Sequence, residues 1–301
     1  DLGTIAFHAH VDGEIDTMGL MHCVADADIE KIEYKGYCYQ HIRLDGEMWE
    51  QEVSGNLTIK DENIRLAING LADWSEEDTR LDLTLKLADF RPATLHLIKK
   101  YPELELGATT YVSLYTSGSK SEMLDNMTGY VIVDTLLLRN GEKQTTMKQF
   151  KLLVDREEVG EVPFRQLRVQ SDYLTANISG AFQYQTLPAT LQSFLHKYIP
   201  TLIEEPIAKH RAANNLDFYA YFRGLDSISQ VLDLAVEVPL LPTIKGYIHE
   251  DEQLLGLQAY IPKINTTGAK MEDITVSVNN QNEQLNLSVY VLNHLPKHNP
   301  T

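Results

Sequence analysis

The sequence has no run of basic residues and no apolar stretch near the ~18 residues that a membrane-crossing helix requires. It holds only two cysteines in 301 residues. Acidic residues outnumber basic ones by 43 to 26, a net charge of −17, so nothing concentrates positive charge against nucleic-acid phosphates or anionic headgroups. Cys23 and Cys38 are too few for a disulfide framework, and their spacing fits no zinc motif. Each falls in an expected strand, which reads as a buried free thiol or, in an oxidising compartment, a bond between neighbouring strands. GxSxG, GxGxxG, HExxH and a phosphate loop are all missing. His8-Ala9-His10 has the alternate spacing that can share a metal ion, but that chemistry needs a frame of alternating strands and helices, which the chain lacks. The two histidines read as a polar strand face. Glu76-Glu77-Asp78 and Glu250-Asp251-Glu252 read as turns. No catalytic residue, metal or cofactor is expected. The chain opens DLGTIAFHAH, already strand-like and without methionine, and so reads as a soluble piece excised from a longer protein.

What the sequence does have is alternation. Leu81, Leu83, Leu85 and Leu87 lie on one face of a strand, and Asp82, Thr84 and Lys86 on the other. The period changes at Pro92, which can open a helix because its missing N–H needs no partner there. Leu95, Leu97 and Ile98 follow, and Tyr101-Pro102 closes the unit. The unit returns at Pro188-Ala189-Thr190-Leu191 and again, more faintly, from Leu216 to Leu232, where the helix runs Leu225–Leu232.

Elsewhere the pattern predicts only strands and turns. Strands are expected at Gly3–His10, Gly19–Asp26, Gly36–Leu44, Met48–Ile59 (bent near Gly55) and Asn63–Gly70. Further ones fall at Glu105–Thr116, Met127–Leu138, Thr145–Val154, Gln166–Gln170, Tyr173–Gln185, Thr243–Glu250, Gln253–Tyr260, Met271–Asn279 and Gln284–Asn293. Asp45-Gly46, Asp61-Glu62-Asn63 and Arg139-Asn140-Gly141 read as hairpin turns. Connections this short demand antiparallel pairing. About sixteen to eighteen strands cannot stay a flat sheet and must curl, split or close. The expected fold class is all-β: an elongated, curled antiparallel sheet, a taco-like β-groove, with three short capping helices. Residues 1–301 form one repeat-built fragment. The best internal boundary lies near 155–160, dividing 1–158 from 159–301, and the same residues also suit a long hairpin tip. The tail Leu295–Thr301 reads as fraying.

The residues expected to line the groove are Ile64, Leu66, Ile68, Leu81, Leu83, Leu85, Leu87, Ile274, Val276, Val278, Leu285, Leu287, Val289 and Val291. Each set alternates with polar residues, so each strand has one face that leaves water. The pattern fits either an open trough or a filled sandwich core.

Two stretches carry a family resemblance. Ile32–Gly46 reads IEYKGYCYQHIRLDG, and Gly55–Gly70 reads GNLTIKDENIRLAING, ahead of the strand-to-helix unit. With Gln170–Gly180 and the Leu187–Leu202 unit, they resemble TamB-type proteins of Bacteroidetes within the broader AsmA-like group. The resemblance spans most of residues 30–205 and thins afterwards. It implies a periplasmic middle fragment of an envelope-biogenesis protein anchored in the inner membrane, whose apolar groove conducts phospholipid towards the outer membrane. The implied partners are phospholipid acyl chains and, through parts outside the fragment, a TamA-like outer-membrane barrel; nucleic acid is not among them. Two alternatives stay open: a β-rich scaffold or chaperone that assists outer-membrane protein assembly by strand pairing and, more remotely, a carbohydrate-active β-sandwich protein.

Overall fold

The computed structural model describes residues 2–15, 17, 21–74, 78–118, 122–159, 162–206, 212–238, 241–266 and 270–294. The expectations for the Leu295–Thr301 tail and for Glu76-Glu77 lie outside these residues. The protein is all-β: 66% of it is strand, so sheets rather than helices carry the fold. It divides into two compact units, Asp1–Lys151 and Leu152–Thr301.

The first unit is an antiparallel meander. Its strands are β1 (Leu2–Ile15), β2 (Met21–Tyr34), β3 (Tyr37–Trp49), β4 (Glu52–Asp61), β5 (Ile64–Asp73), β6 (Asp78–Phe90), β7 (Leu104–Ser117), β8 (Thr128–Asn140) and β9 (Lys143–Met147). Each pairs with the next. Two expectations are corrected here. Asp45-Gly46 makes no turn: both lie inside β3, opposite Asn56 and Gly55. A tight two-residue turn is only a local preference, and long cross-strand pairing overrides it. The bent strand expected over Met48–Ile59 is two strands, with the reversal at Glu50-Gln51. Glu50 adopts a left-handed φ of 50°, and its N–H donates to the Met21 carbonyl at 2.9 Å.

The turn at Asp61-Glu62-Asn63 stands where expected, and a polar knot holds it. Asp61, 8% exposed, accepts hydrogen bonds from the Tyr37 hydroxyl, the Gln40 N–H at 3.1 Å and the Asn63 N–H at 2.9 Å. Burial, and then the bond to Asp61, push the Tyr37 phenol up to about 12. A phenol raised above its unfolded value favours the folded state below pH ~10, and that contribution is lost as pH rises through about 12. Tyr37→Phe is therefore expected to lose about 1 kcal/mol at neutral pH, the value of one hydrogen bond. It should also remove the slowest-rising component of the phenolate absorbance titration, which a spectrophotometric titration of both proteins checks.

The helix expected from Pro92 is not there; residues 91–103 form turns. The Leu95 N–H reaches the Arg91 carbonyl at 3.1 Å, but His96 takes a φ of 58° and the Leu97 N–H bonds back to Pro92 at 2.8 Å. A left-handed residue with a six-to-one bond ends a helix, here after one turn. The segment still caps the sheet. Leu95 is fully buried, Arg91 donates to the Asn63 carbonyl, and His96 Nδ1 lies 3.1 Å from the Lys35 carbonyl oxygen.

The Thr145–Val154 strand is corrected too: it breaks after Met147, and β10 (Phe150–Glu157), whose residues from Leu152 on belong to the second unit, begins beyond the break. Next come β11 (Phe164–Ser171), β12 (Leu174–Ala181), α1 (Leu187–Tyr198), β13 (Asn215–Phe222), α2 (Leu225–Val231) and β14 (Val236–Glu237), a two-residue strand the pattern missed. The unit ends with β15 (Thr243–His249), β16 (Leu254–Thr266), β17 (Lys270–Asn279), a 3-10 turn at Gln281–Glu283, and β18 (Asn286–His294). Antiparallel ladders join β11–β12–β13–β15–β16–β17–β18, and β14 pairs with β16. Helices α1 and α2 stand where the second and third repeats place them.

Helix α1 seals one end of this sheet. Phe194 joins Phe182, Leu216 and Ile248 in a dry cluster, with Leu187 and Phe218 packed against it. A buried amide ties the helix down: Asn214 Nδ2 donates to Thr186 Oγ1 at 2.9 Å and Thr190 Oγ1 at 2.7 Å, while its Oδ1 accepts the Gln183 N–H at 2.7 Å. The Thr190 hydroxyl in turn donates to a Glu250 carboxylate oxygen at 3.1 Å. No polar group is stranded in this knot, the condition for burying one at low cost.

Candidate functional site

In a pleated sheet, residues directly opposite on paired strands share a face, so the ladders trace rows of side chains across each unit. Four apolar rows cross the first unit. One runs Phe7, Ile29, Ile42, Ile59, Leu66, Leu87, Ala108, Leu136, and the next runs Ala9, Ala27, Leu44, Leu57, Ile68, Leu85, Thr110, Val133. A third runs Val11, Ala25, Gly46, Gly55, Gly70, Leu83, Val112, Val131. The fourth ends Met48, Val53, Ala72, Leu81, Leu114, Gly129. Measured along the sheet, the face covers roughly 34 Å across strands and ~20 Å along them, at ~4.8 Å per strand and ~6.8 Å per two residues.

Six of the seven groove positions expected in this unit sit on these rows, and Ile64 stands at the capped end opposite Asp61. They are not core. Among the row positions Ile42 alone is buried, at 7%; Leu66, Ile68, Leu81, Leu83, Leu85 and Leu87 are half-buried, and Leu44 is 42% exposed. A sheet packed face to face against another would bury them. Gly70 gives way to Leu83, whose side chain would stand 2.2 Å from a Cβ added there.

The second unit repeats the design. Leu167, Ile178, Phe218, Gly246, Leu257, Val278 and Leu287 form one row; Val169, Ala176, Ala220, Ile244, Ala259, Val276 and Val289 form the next. Of the expected positions here, Ile274 is buried beside Ile261, Val276 and Val278 are half-buried, and Leu285 precedes β18. Leu287, Val289 and Val291, on β18, are 66%, 60% and 39% exposed; β18 pairs antiparallel with β17. Of the fourteen positions, six fall on the apolar rows of the first unit and Val276, Val278, Leu287 and Val289 on those of the second.

The opposite faces are polar, and they carry features the sequence reading missed. A cavity of about 710 Å³ in the first unit is lined by Asp26, Asp45, Asn56, Asn69, Asp82, Tyr111 and Tyr130, among others; of the expected groove positions it reaches Leu83. Asn69 donates to Asn56 at 2.6 Å, and Asn56 donates to Asp45 at 2.8 Å, a relay across three strands. A bond from the Ser113 hydroxyl, with help from Arg80, holds the Asp82 carboxyl below its ordinary value against the cost of desolvation. A second cavity, about 650 Å³, lies on the polar face of the second unit, bordered by Asn177, Tyr219, Tyr247, Gln258 and Asn279; there it reaches Val278.

His8 and His10 are exposed and face Glu30 at 3.7 Å and Asp12 at 2.9 Å. Among the described residues no group of three or more His, Cys, Asp or Glu is placed to hold a metal ion. The two cysteines are free; Cys38, expected to be buried, is exposed opposite Glu33 at the start of β3. Comparison with family models, curated proteins and solved structures found no match.

Proposed function

We propose that the protein is a non-catalytic lipid conduit of the TamB, AsmA-like kind, working in the periplasm, whose apolar faces hold phospholipid acyl chains. The observation that carries this reading is the incomplete burial of four apolar rows across eight strands, with the 91–103 segment covering one end. Such a face hides acyl methylenes from water at ~0.8 kcal/mol each and needs no side-chain chemistry. No helix among the described residues is long and apolar enough to cross a membrane, so any anchor would come from another segment. Docking on a TamA-like barrel belongs to the same proposal.

A second reading has its own observation. On β18, Leu287, Val289 and Tyr290 are each at least 60% exposed, so both faces of this strand present apolar surface. Such a strand can accept an incoming one by β-augmentation, as a scaffold for outer-membrane proteins would. The test is lipid extraction and mass spectrometry of the purified protein, followed by transfer of a fluorescent phospholipid between donor and acceptor vesicles. Co-purified phospholipid and protein-dependent transfer are expected. A lipid-free protein that transfers none, yet binds amphipathic strand peptides, would replace the conduit with the scaffold.

A further inference from the structure

The polar face of the second unit carries a regular array of aromatic side chains. The ladders align Thr175, Tyr221, Thr243, Tyr260, Thr275 and Tyr290 in one row, so tyrosine and threonine alternate from strand to strand. The three tyrosines are two strand spacings apart, about 9–10 Å. All three are open to solvent, at 42%, 37% and 61% exposure. Between Tyr221 and Tyr260, over Thr243, sits a cavity of about 210 Å³ whose walls include Lys245 and Gln258. It adjoins the cavity of about 650 Å³ on the same face. The walls of the larger cavity carry one carboxylate, Asp217, and one ammonium, Lys245, in a chain with a net charge of −17. Along the tyrosine row Asp273, bonded to Tyr260, is offset by Arg223, bonded to Thr175, so the charges on this face nearly cancel, which favours an uncharged ligand.

We propose that this face binds an extended, neutral, β-linked oligosaccharide. Flat sugar rings stack on exposed tyrosine faces, and a spacing of two strands suits the disaccharide repeat of an extended glycan. The amides of Asn177, Gln258 and Asn279 lie in the two rows beside the tyrosine row, along the wall of the larger cavity, and an amide can both donate to and accept from a sugar hydroxyl. The Tyr260 hydroxyl is held by donating to Asp273 at 2.8 Å, which fixes the orientation of that ring. A proline-rich peptide also docks on aromatic grooves, but it offers few hydrogen-bonding groups to such a density of amides. The site is independent of the apolar face, being on the other side of the same strands, so the two readings stand or fall separately.

The test is calorimetric titration of the full chain with neutral β-1,4-linked glucose and N-acetylglucosamine oligomers of two to six units. Affinity is expected to rise with length as successive tyrosines are engaged. Tyr221→Ala and Tyr260→Ala should each weaken binding about tenfold, the value of one stacking contact. Tyr221→Phe should keep the affinity, since the ring face survives, and Tyr111→Ala in the other unit should leave it unchanged. Circular dichroism of each variant separates lost binding from lost folding. Failure of every oligomer to bind the folded wild type overturns the proposal. So does binding that is indifferent to Tyr221 and Tyr260, and so does binding of a proline-rich peptide, rather than a glycan, that is lost in the same variants.

Discussion

Phe194→Ala is expected to lower the stability of the Leu152–Thr301 unit by about 3–5 kcal/mol, the range for emptying a large aromatic from a packed site. Phe194 is 4% exposed and touches Phe182, Leu216 and Ile248, themselves at or below 5%. It is the side chain through which α1 closes the end of the sheet. The loss should also free the Asn214 knot, whose donors and acceptors are satisfied only while Thr186 and Thr190 hold their places. Amide hydrogen exchange checks this region by region: β12, β13 and β15 should exchange faster, while β4, β5 and β6 keep their protection. Leu97→Ala, at a residue 37% exposed in the first unit's cap, should change stability by less than about 1 kcal/mol. A loss below about 1 kcal/mol for Phe194→Ala would mean that α1 is an ornament on the sheet rather than its seal.

The second large effect concerns the apolar face. Leu85 stands between Ile68 and Thr110 in the middle of the first unit's rows, half-buried. If the face is a trough open to water, an aspartate there keeps its hydration, and Leu85→Asp costs about 1–2 kcal/mol of lost apolar burial. A filled core would instead trap an unpaired charge and unfold the unit. Acyl chains lying over this row would have to strip water from the new carboxylate. The folded variant is therefore expected to lose at least about tenfold in phospholipid captured, because two displaced methylenes already exceed that factor. Leu287→Asp, at a position 66% exposed, should leave the melting temperature unchanged and dent capture only slightly. Thr84→Asp, on the opposite face of β6, should leave lipid capture intact. Melting curves and lipid quantification on the same preparations decide it: unfolding of Leu85→Asp together with a lipid-free wild type would make these rows a core.

Much of the fold was legible because it rests on local periodicity. The alternation of Leu81 to Leu87 marks β6 and its apolar face, and Pro188 with Phe194 marks α1, without knowledge of any neighbour. The misreadings share one cause. Asp45-Gly46 has the composition of a tight turn, and Pro92 that of a helix start, yet each is judged by partners far along the chain. Gly46 is held in β3 by Gly55. The Pro92 segment stops after one turn at His96, whose ring contacts the Lys35 carbonyl in the cap.

The sequence by itself therefore determined an acidic, all-β, antiparallel protein whose strands each have one apolar and one polar face, because a side-chain period of two needs only the strand's own residues. The tertiary structure alone decided how those faces join. Register sets which residues stand side by side, and a slip of one residue would exchange the two faces. Leu85 meets Ile68, and Tyr221, Tyr260 and Tyr290 fall into one row, only through pairings across the sheet. Where the two units divide, between Lys151 and Leu152, is likewise set by contacts between strands; the sequence offered 155–160 instead.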